Sequence, residues 1–322
     1  MIKQLQQQVE KAIANINWVQ EPTGLYQPID YVLSLGGKRI RPVLTLLACK
    51  LFSDDEKQAL STALAVEVFH NFTLLHDDVM DRAEVRRGKP CVHKVWDDNT
   101  AILSGDSMLV LAYQRVAQCS PSLLPQVIGL FTQTALEIGE GQQFDLDFES
   151  RTDVTESEYI EMIRLKTSVL LACSLKLGAI LAGASDSDAD ALYQFGEKIG
   201  LAFQLQDDYL DVYGDYRTFG KKIGGDILCN KKTFMLINAL QKANPTQRTE
   251  LMQWLQEGNS RPEEKIKEVT RLYTEIGVDS MAIGRINAYY QEAEQSLARV
   301  SISADRKQTL WQYAQSMLGR KA

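Results

Sequence analysis

The sequence has little of what builds β-sheets, disulfide frameworks or zinc sites. Runs in which β-branched and polar residues alternate between turn residues are nearly absent, which argues against strands. Five cysteines are scattered through 322 residues without a Cys-x-x-Cys pair, and there are eight prolines and three histidines. This cysteine pattern is typical of a reducing compartment and argues against structural zinc. So few prolines leave room for long helices.

Several functional signals are missing as well. The chain begins Met1-Ile2-Lys3-Gln4-Leu5, without the apolar region of a signal peptide. The most apolar stretch, residues 169–184, contains Lys176 and is too short to span a bilayer. The net charge of −7 argues against a nucleic-acid partner. There is no dinucleotide-binding or P-loop glycine pattern, and no Ser-His-Asp or Cys-His grouping. We expect a cytoplasmic protein that neither inserts into a membrane nor binds nucleic acid.

What the chain does have is helical periodicity over almost its whole length. It shows no linker, low-complexity tract or charge block, so we predict a single domain over residues 1–322, an all-α bundle of ten or more helices. Gly36-Gly37 should break one helix, and Gly139 and Gly141 should interrupt another. Thr155-Glu156-Ser157-Glu158 predicts a capping box. The amphipathic helices predicted from Gln241 onward carry no recognisable group of catalytic or binding residues, and we expect them to have a structural role.

Two acidic motifs stand out against this background. Each follows an apolar helical run: Asp77-Asp78-Val79-Met80-Asp81 and Asp207-Asp208-Tyr209-Leu210-Asp211. Aspartates four apart share one helix face, where like charges repel unless a cation sits there. A single acidic cluster of this kind is often just a solvated helix surface. Two clusters that each follow a similar apolar helical run are a stronger functional signal. If the two helices face each other, their carboxylates would form a site for hard divalent cations that bind phosphate oxygens.

Basic residues recur near these motifs and at chain breaks. Lys38, Arg39 and Arg41 lie where a glycine loop enters a helix, a position that favours anions. Arg86 and Arg87 follow the first motif, and Arg can bind phosphate bidentately. Lys166 lies in apolar company, and a loop rich in glycine and lysine follows the second motif. Each feature has an ordinary alternative. The basic residues before the helix could be a solvated turn, Arg86 and Arg87 a salt-bridge network, Lys166 a snorkelling lysine, and the glycine- and lysine-rich segment a flexible loop. His70 could be a histidine of the core.

Together these features indicate a substrate with a phosphate head and a hydrocarbon tail. Metal ions would neutralise a leaving diphosphate, and the resulting carbocation would need a dry site with preorganised dipoles. A second substrate held by Lys38, Arg41 and Arg87 could then attack through its alkene.

The chain resembles the trans (head-to-tail) isoprenyl diphosphate synthases, or polyprenyl synthetases, over nearly its whole length. The resemblance lies in Gly36 to Pro42, in Asp77 to Asp81 with Arg86 to Pro90, in Lys166-Thr167, in Gln204 to Asp211, and in Gly220-Lys221 through Asp226 and Lys231. It implies a homodimer of all-α subunits, each around a deep central cavity. It also implies magnesium as the cofactor, with manganese as a substitute, and isopentenyl and allylic diphosphates as substrates.

The resemblance also implies roles for individual residues. Direct magnesium ligands would be Asp77, Asp81 and Asp207, with Asp78, Asp208 and Asp211 in support. The isopentenyl diphosphate pocket, which uses no metal, would contain Lys38, Arg41, His70 and Arg87. The allylic diphosphate would be bound by Arg86, Lys166, Thr167, Gln204, Lys221 and Lys231. Oxygens of Thr167 and Gln204 would face the allylic cation, and the released diphosphate would remove the final proton.

Product length is expected to depend on the helix before Asp77. Phe72 lies five residues upstream, about 7 Å along the axis at ~1.5 Å per residue, where an aromatic ring would floor the tunnel for the growing chain. Thr73 beside it is small, and the first motif lacks a two-residue insertion. This pattern resembles a geranylgeranyl diphosphate synthase most, with farnesyl diphosphate the next expected product. Phe72 as plain core is the ordinary alternative.

Other functions remain open on sequence alone. A class I terpene cyclase shares the fold and the first motif, but its second motif contains Asn, Ser and Glu, and it has no need of Lys38 and Arg41. A longer-chain polyprenyl diphosphate synthase would differ only in product. An HD-type phosphohydrolase is suggested by His76-Asp77, but the three histidines are poorly spaced for that site. A non-enzymatic helical interaction protein would leave the doubled motif unexplained.

Overall fold

The described part of the chain is almost entirely helical. The computed structural model describes residues 1–214 and 223–318. Its α-helices are α1 (Ile2–Ala14), α2 (Thr23–Ser34), α3 (Ile40–Phe52), α4 (Leu60–Met80), α5 (Val92–Val95), α6 (Asp98–Val116), α7 (Leu124–Ser150), α8 (Glu156–Ile163), α9 (Val169–Leu181), α10 (Asp186–Tyr213), α11 (Gly225–Leu228), α12 (Phe234–Lys242), α13 (Pro245–Gln256), α14 (Pro262–Ile276), α15 (Val278–Ala298) and α16 (Ala304–Leu318). The predicted all-α class, with ten or more helices, is confirmed for the described residues.

Two short helical turns and a β-hairpin complete the described structure. A 3₁₀ turn covers Glu56–Ala59, and a π-helical turn covers Arg164–Ser168 between α8 and α9. After the first aspartate motif, β1 (Val85–Arg86) pairs antiparallel with β2 (Lys89–Pro90). The hairpin reverses at Arg87 and Gly88, which both have positive φ angles. It therefore places Arg86 and Arg87 directly beside the end of α4.

The chain divides into two compact units. Unit 1 comprises residues 1–133, 173–193 and 300–310, and unit 2 comprises residues 134–172, 194–299 and 311–322, of which the structure describes those outside 215–222 and 319–322. The expectation of one domain over residues 1–322 stays a prediction. No helix among the described residues is both long enough and apolar enough to cross a bilayer.

Unit 1 is organised around α4. This 21-residue helix is apolar on most of its circumference, and its buried side chains include Leu64, Val66, Val68 and Phe69. A helix that is hydrophobic on all sides needs neighbours on all sides. Helices α1, α2, α3, α5 and α6 supply these neighbours. The burial fixes α4, and therefore fixes the direction in which its carboxyl end presents the first aspartate motif.

Unit 2 has its own core around α8, α12, α14 and the second half of α10. Its buried side chains include Tyr159, Leu205, Phe234 and Leu272. The predicted capping box starts α8: the Thr155 hydroxyl accepts from the Glu158 N–H, and the Glu158 carboxylate accepts from the Thr155 N–H. Helix α10 ends at Tyr213, one residue before Gly214.

One prediction about the backbone is wrong. Gly139 and Gly141 do not interrupt a helix, because α7 is continuous from Leu124 to Ser150. Gly141 is buried within that helix, and a Cβ there would lie 2.8 Å from the carbonyl carbon of Leu165 and would overlap with the Lys166 backbone nitrogen. The glycine serves close helix packing rather than a break, since it lets α7 approach the π-helical turn backbone to backbone.

We expect opposite effects from alanine at these two glycines. Gly141→Ala should lower the free energy of unfolding by about 1–3 kcal/mol or more, because the added methyl overlaps with backbone that cannot rotate away. Gly139→Ala should raise it by about 0.5–1 kcal/mol, because no described atom outside the helix lies within 4 Å of the new Cβ and alanine favours the helix.

Urea denaturation followed by circular dichroism measures both changes, and Gly139→Ala is the control for changing a glycine of the same helix. Equal stability of the two variants would contradict the close approach at Gly141.

Candidate functional site

The first aspartate motif ends α4 with two carboxylates outward and one inward. Asp77 is partly exposed, with 23% of its side chain accessible, and Asp81 is exposed. Asp78 is buried, with only 6% of its side chain accessible. Asp77 and Asp81 therefore share the outer face that their four-residue spacing predicts.

Arg86 neutralises the buried carboxylate. Its Nε donates to both Asp78 oxygens at 3.0 and 3.2 Å, and its Nη2 donates to Oδ1 at 2.5 Å. The same Nη2 lies 3.7 Å from Asp77 Oδ2. Burial and the nearby Asp78 carboxylate raise the pKa of the Cys91 thiol to about 12, so this cysteine stays protonated. The hairpin thus brings Arg86 to the first motif, where it forms the salt-bridge network that the sequence left open as an alternative.

Arg41 and His70 meet in unit 1. Arg41 Nη1 lies 3.2 Å from His70 Nε2, and since a guanidinium can only donate, the imidazole accepts with Nε2. Burial and the positive charges of Arg41 and Arg87 lower the pKa of His70 well below its usual value. Burial also lowers the pKa of Arg41 to about 10, which leaves it charged at neutral pH. Its buried Nε has no hydrogen-bond partner among the described residues. The pair presents positive charge and unused donor capacity to an anion.

The neighbouring Arg39 has a different role from Arg41. It is buried, with a φ of 48°, and it forms ion pairs with Glu10 at 2.7 Å and Glu67 at 2.6 Å. Its Nη2 also donates to the Leu33 carbonyl. Arg39 therefore links the Gly36-Gly37 loop to α1 and α4, and its positive charge is neutralised by these structural ion pairs.

Arg87 is held by a residue that sequence reasoning missed, Asn71. The Asn71 amide donates to the backbone and side chain of Glu67, and its Oδ1 accepts from Arg87 Nη1 at 3.3 Å. Arg87 Nη1 also donates to the Gly36 carbonyl, and its guanidinium lies 3.0 Å from where a Gly37 Cβ would be. A polar pair four residues apart on an otherwise apolar helix, Glu67 and Asn71, is the signal that could have identified this network.

Two further predicted residues lie near these. The backbone carbonyl of the exposed Lys38 accepts from Gln6 on α1. The Thr73 hydroxyl donates to the His70 carbonyl at 2.8 Å, so it is turned back onto its own helix.

The second motif, in unit 2, repeats the inward turn of its middle aspartate. Asp208 is 4% exposed, and it accepts from the Tyr159 hydroxyl and from Gln204 Nε2 at 3.3 Å. Burial raises the pKa of Asp208 to about 7. Asp207 and Asp211 are partly exposed, and Asp211 Oδ2 accepts the Asp226 N–H at 3.0 Å. Tyr159 was not identified from sequence, because nothing in its local pattern distinguishes it from apolar core.

The predicted Lys166-Thr167 pair lies on the π-helical turn rather than on a regular helix. The extra residue in such a turn re-aims the side chains around it. Thr167 Oγ1 donates to Gln204 Oε1 at 3.2 Å, and Lys166 Nζ donates to Asp145 Oδ2 at 2.5 Å. Lys231 Nζ lies 3.9 Å from the same Asp145 oxygen. Unit 2 therefore brings together four of the predicted residues, Lys166, Thr167, Gln204 and Lys231, while Lys221 lies outside the described residues.

The outward carboxylates of each unit are oxygen donors of the kind that magnesium prefers. Within residues 1–214 and 223–318 no group of three or more His, Cys, Asp or Glu side chains is arranged to hold an ion by itself. Magnesium needs less, because it is usually bound through one or two carboxylates together with water and substrate phosphates. Asp77 with Asp81 supplies hard oxygen donors on one helix face, and Asp207 supplies one at the end of α10.

The neutral His70 predicts a pH dependence of stability. The folded state keeps His70 unprotonated, whereas an unfolded histidine binds a proton below about pH 6.5. The unfolded state therefore binds more protons in acid, and stability should fall by up to about 1.4 kcal/mol per pH unit below pH 6.5. His70→Gln, which keeps an acceptor for Arg41, should flatten this part of the slope.

Urea unfolding at pH 7.5, 6.5 and 5.5 compares the two proteins, and the other two histidines cancel in the difference. Parallel pH profiles would contradict the burial of a neutral His70.

Comparison with known proteins identifies the architecture. The polyprenyl synthetase family model matches residues 22–273. A geranylgeranyl diphosphate synthase from Methanosarcina mazei is 42% identical over 243 residues, which cover 75% of each chain. A geranylgeranyl pyrophosphate synthase from Geoglobus acetivorans is 36% identical over 308 residues, covering 95% of this chain and 94% of that one. The crystal structure of a geranylgeranyl pyrophosphate synthase superposes with a TM-score of 0.93 at 43% identity, covering 100% of this chain and 99% of that chain.

These similarities confirm the resemblance noted from the motifs and extend it over the whole fold. The chain belongs to the polyprenyl synthetase family.

Proposed function

We propose that this prenyltransferase condenses isopentenyl diphosphate head-to-tail with an allylic diphosphate (dimethylallyl, geranyl or farnesyl) and releases diphosphate. Geranylgeranyl diphosphate is the proposed product, as the names of the relatives suggest, and farnesyl diphosphate is the next candidate. The observation that carries the proposal is that the chain holds both a group of side chains suited to an anion and carboxylates suited to a metal ion. Unit 1 holds a cationic cluster of Arg41, His70 and Arg87, and the aspartate motifs present outward carboxylates.

Isopentenyl diphosphate is assigned to the cationic cluster, with Lys38 completing it. A diphosphate offers several acceptor oxygens, and the Arg41 Nε is a buried donor that such an oxygen would satisfy. Arg87 is braced by Asn71 and Gly36, so little side-chain entropy is lost when it binds. A neutral His70 adds a hydrogen bond without adding a third positive charge to the pocket. This site needs no metal.

The allylic diphosphate is assigned to Arg86, Lys166, Lys231 and Lys221. Asp145 bonds Lys166 and lies near Lys231, so it spaces two ammonium groups that would otherwise repel each other. Magnesium ions held by Asp77, Asp81 and Asp207 would supply charge neutralisation to the leaving diphosphate. Asp78, Asp208 and Asp211 support these ligands, because each carries hydrogen bonds from its own unit.

The reaction then proceeds in three bond changes. The allylic C–O bond breaks, and its electron pair leaves with the diphosphate. The isopentenyl double bond attacks the allylic carbon and forms the new C–C bond, and the released diphosphate takes the proton that restores a double bond. Thr167 and Gln204 contribute oxygen dipoles that stabilise the cation between these steps. Their mutual hydrogen bond fixes both side chains before substrate arrives.

One assay tests the proposed reaction. The protein is incubated with magnesium, isopentenyl diphosphate and an allylic diphosphate, and the products are identified by chain length. Elongated diphosphates are expected. Asp81→Ala and Asp207→Ala should each lower kcat about 100-fold or more, because losing a metal ligand removes several kcal/mol of charge stabilisation.

Asp30→Ala, at an exposed position on α2, is the control and should retain activity. Cyclic hydrocarbons would indicate a terpene cyclase instead, and unchanged turnover in both aspartate variants would exclude the assigned metal ligands.

Product length is assigned to Phe72 and Thr73. Phe72 lies five residues before Asp77, and its ring packs against Phe69 at 5.5 Å and His76 at 4.8 Å. A ring held on both sides is a rigid floor, whereas the small Thr73 leaves space beside it. Phe72→Ala should therefore shift the product distribution toward longer chains, measured by chromatography of the dephosphorylated products.

Trp96→Phe, at an aromatic residue of unit 1 whose ring packs against Tyr31, is the control and should keep the product lengths of the parent. A Phe72→Ala enzyme with the product lengths of the parent would contradict this assignment.

A homodimer is the proposed assembly. Helix α6 exposes Ile102, Leu103 and Val110, with 42%, 58% and 58% of each residue accessible. Such large apolar side chains clustered on one helix indicate a surface that a second copy covers. Sedimentation equilibrium tests this, since a monomer at micromolar concentration would contradict it.

A cytoplasmic location is proposed from the scattered cysteines.

A further inference from the structure

His76 connects the first aspartate motif to a second helix. It directly precedes Asp77 on α4, and its Nε2 lies 3.1 Å from the Ile102 carbonyl on α6. A carbonyl can only accept, so Nε2 carries the proton and donates. The side chain is 18% exposed, and the same nitrogen lies 3.9 Å from Asp106. The imidazole is thus attached to α6 by a directional bond rather than by packing alone.

A notch in α6 makes room for this ring. A Cβ on Gly105 would lie 2.5 Å from His76 Cδ2 and would overlap with Nε2. Gly105 lies within the regular helix Asp98–Val116 and is not among the positive-φ glycines, so its backbone does not require glycine. The missing side chain has a steric purpose, since it admits the imidazole against the α6 backbone one turn after Ile102.

The seated imidazole is one of two supports for Phe72. Its ring meets Phe72 edge-on, at 4.8 Å between centroids and 68° between planes. On the other side, Phe69 packs against Phe72 and is itself held edge-on by Phe131 at 5.3 Å. Phe72 is only partly buried, so its own burial does not fix its rotamer. Removing one support leaves the ring free to turn away from that side.

We propose that His76, seated in the Gly105 notch, is a positioning residue that holds Phe72 in place and thereby sets product length. The inference rests on the proposed function and on the assignment of Phe72 as the floor of the chain. It adds that specificity depends on a contact between α4 and α6, and that Gly105 acts on the product without touching it.

Alanine at Gly105 tests the notch. Gly105→Ala should displace the imidazole and raise the ratio of products longer than the parent's main product to that product by about two- to tenfold, the factor that one aromatic pair is worth. His76→Ala should give the same shift, and it carries the test if the Gly105 variant yields no folded protein by circular dichroism. The double variant should match His76→Ala alone, because the notch has no purpose without the ring.

Gly129→Ala is the matched control. This glycine is also helical and in unit 1, and no described atom outside its helix lies within 4 Å of the position that an added Cβ would take. Its products should therefore be those of the parent. A role of His76 confined to folding, or to the placement of Asp77, would lower stability or kcat and leave the product ratio unchanged.

The possible failures are distinguishable. Absence of any elongation by the parent enzyme would overturn the proposed function, and the inference with it. Longer products from Phe72→Ala but parental product lengths from both Gly105→Ala and His76→Ala would overturn the inference and leave the proposed function standing.

Discussion

Closely spaced carboxylates on one helix repel one another, and the way this repulsion is relieved organises the end of α4 in unit 1 and the end of α10 in unit 2. In each motif the middle aspartate turns inward and is satisfied by its own unit. Asp78 receives the Arg86 guanidinium, and Asp208 receives the Tyr159 hydroxyl with the Gln204 amide. A buried carboxylate without such partners would cost several kcal/mol. The inward anchor leaves the flanking aspartates directed outward, where a cation can reach them.

The two anchors differ in charge, and this difference has consequences. Arg86 brings a full positive charge to Asp78, so that carboxylate is compensated within a charged pair. Tyr159 brings only a neutral hydroxyl to Asp208, and burial then raises the pKa of Asp208 to about 7 while raising the pKa of Tyr159 well above its usual value. Two motifs that look alike in sequence therefore differ in electrostatics.

Two nearby cations at the start of α3, Arg39 and Arg41, likewise differ in their surroundings. Arg39 is neutralised by Glu10 and Glu67. The pair with Glu67 is buried on both sides, and removing one partner of such a pair typically costs about 3–5 kcal/mol. Arg41, two residues later, instead donates to a neutral His70 and keeps a buried donor that no described residue satisfies. Arg39 has a left-handed φ just before α3, whereas Arg41 lies within the first turn of that helix. Arg41, whose Nε has no hydrogen-bond partner among the described residues, is therefore the arginine suited to an anionic ligand.

The sequence by itself determined the helical class, the position of both aspartate motifs, the α8 capping box and the family, because these depend on local periodicity, on spacing along one helix and on short motifs. Only the tertiary structure decided that Arg39 is structural, that Asn71 bonds Arg87, that Tyr159 bonds Asp208, and that Lys166 lies on a π-helical turn. It also decided the purpose of the helical glycines. Gly141, predicted to be a break, and Gly105 both admit a neighbour that is distant in the chain. The physical reason is that a missing side chain, like a buried polar partner, acquires its meaning from what packs against it, and no local pattern encodes that.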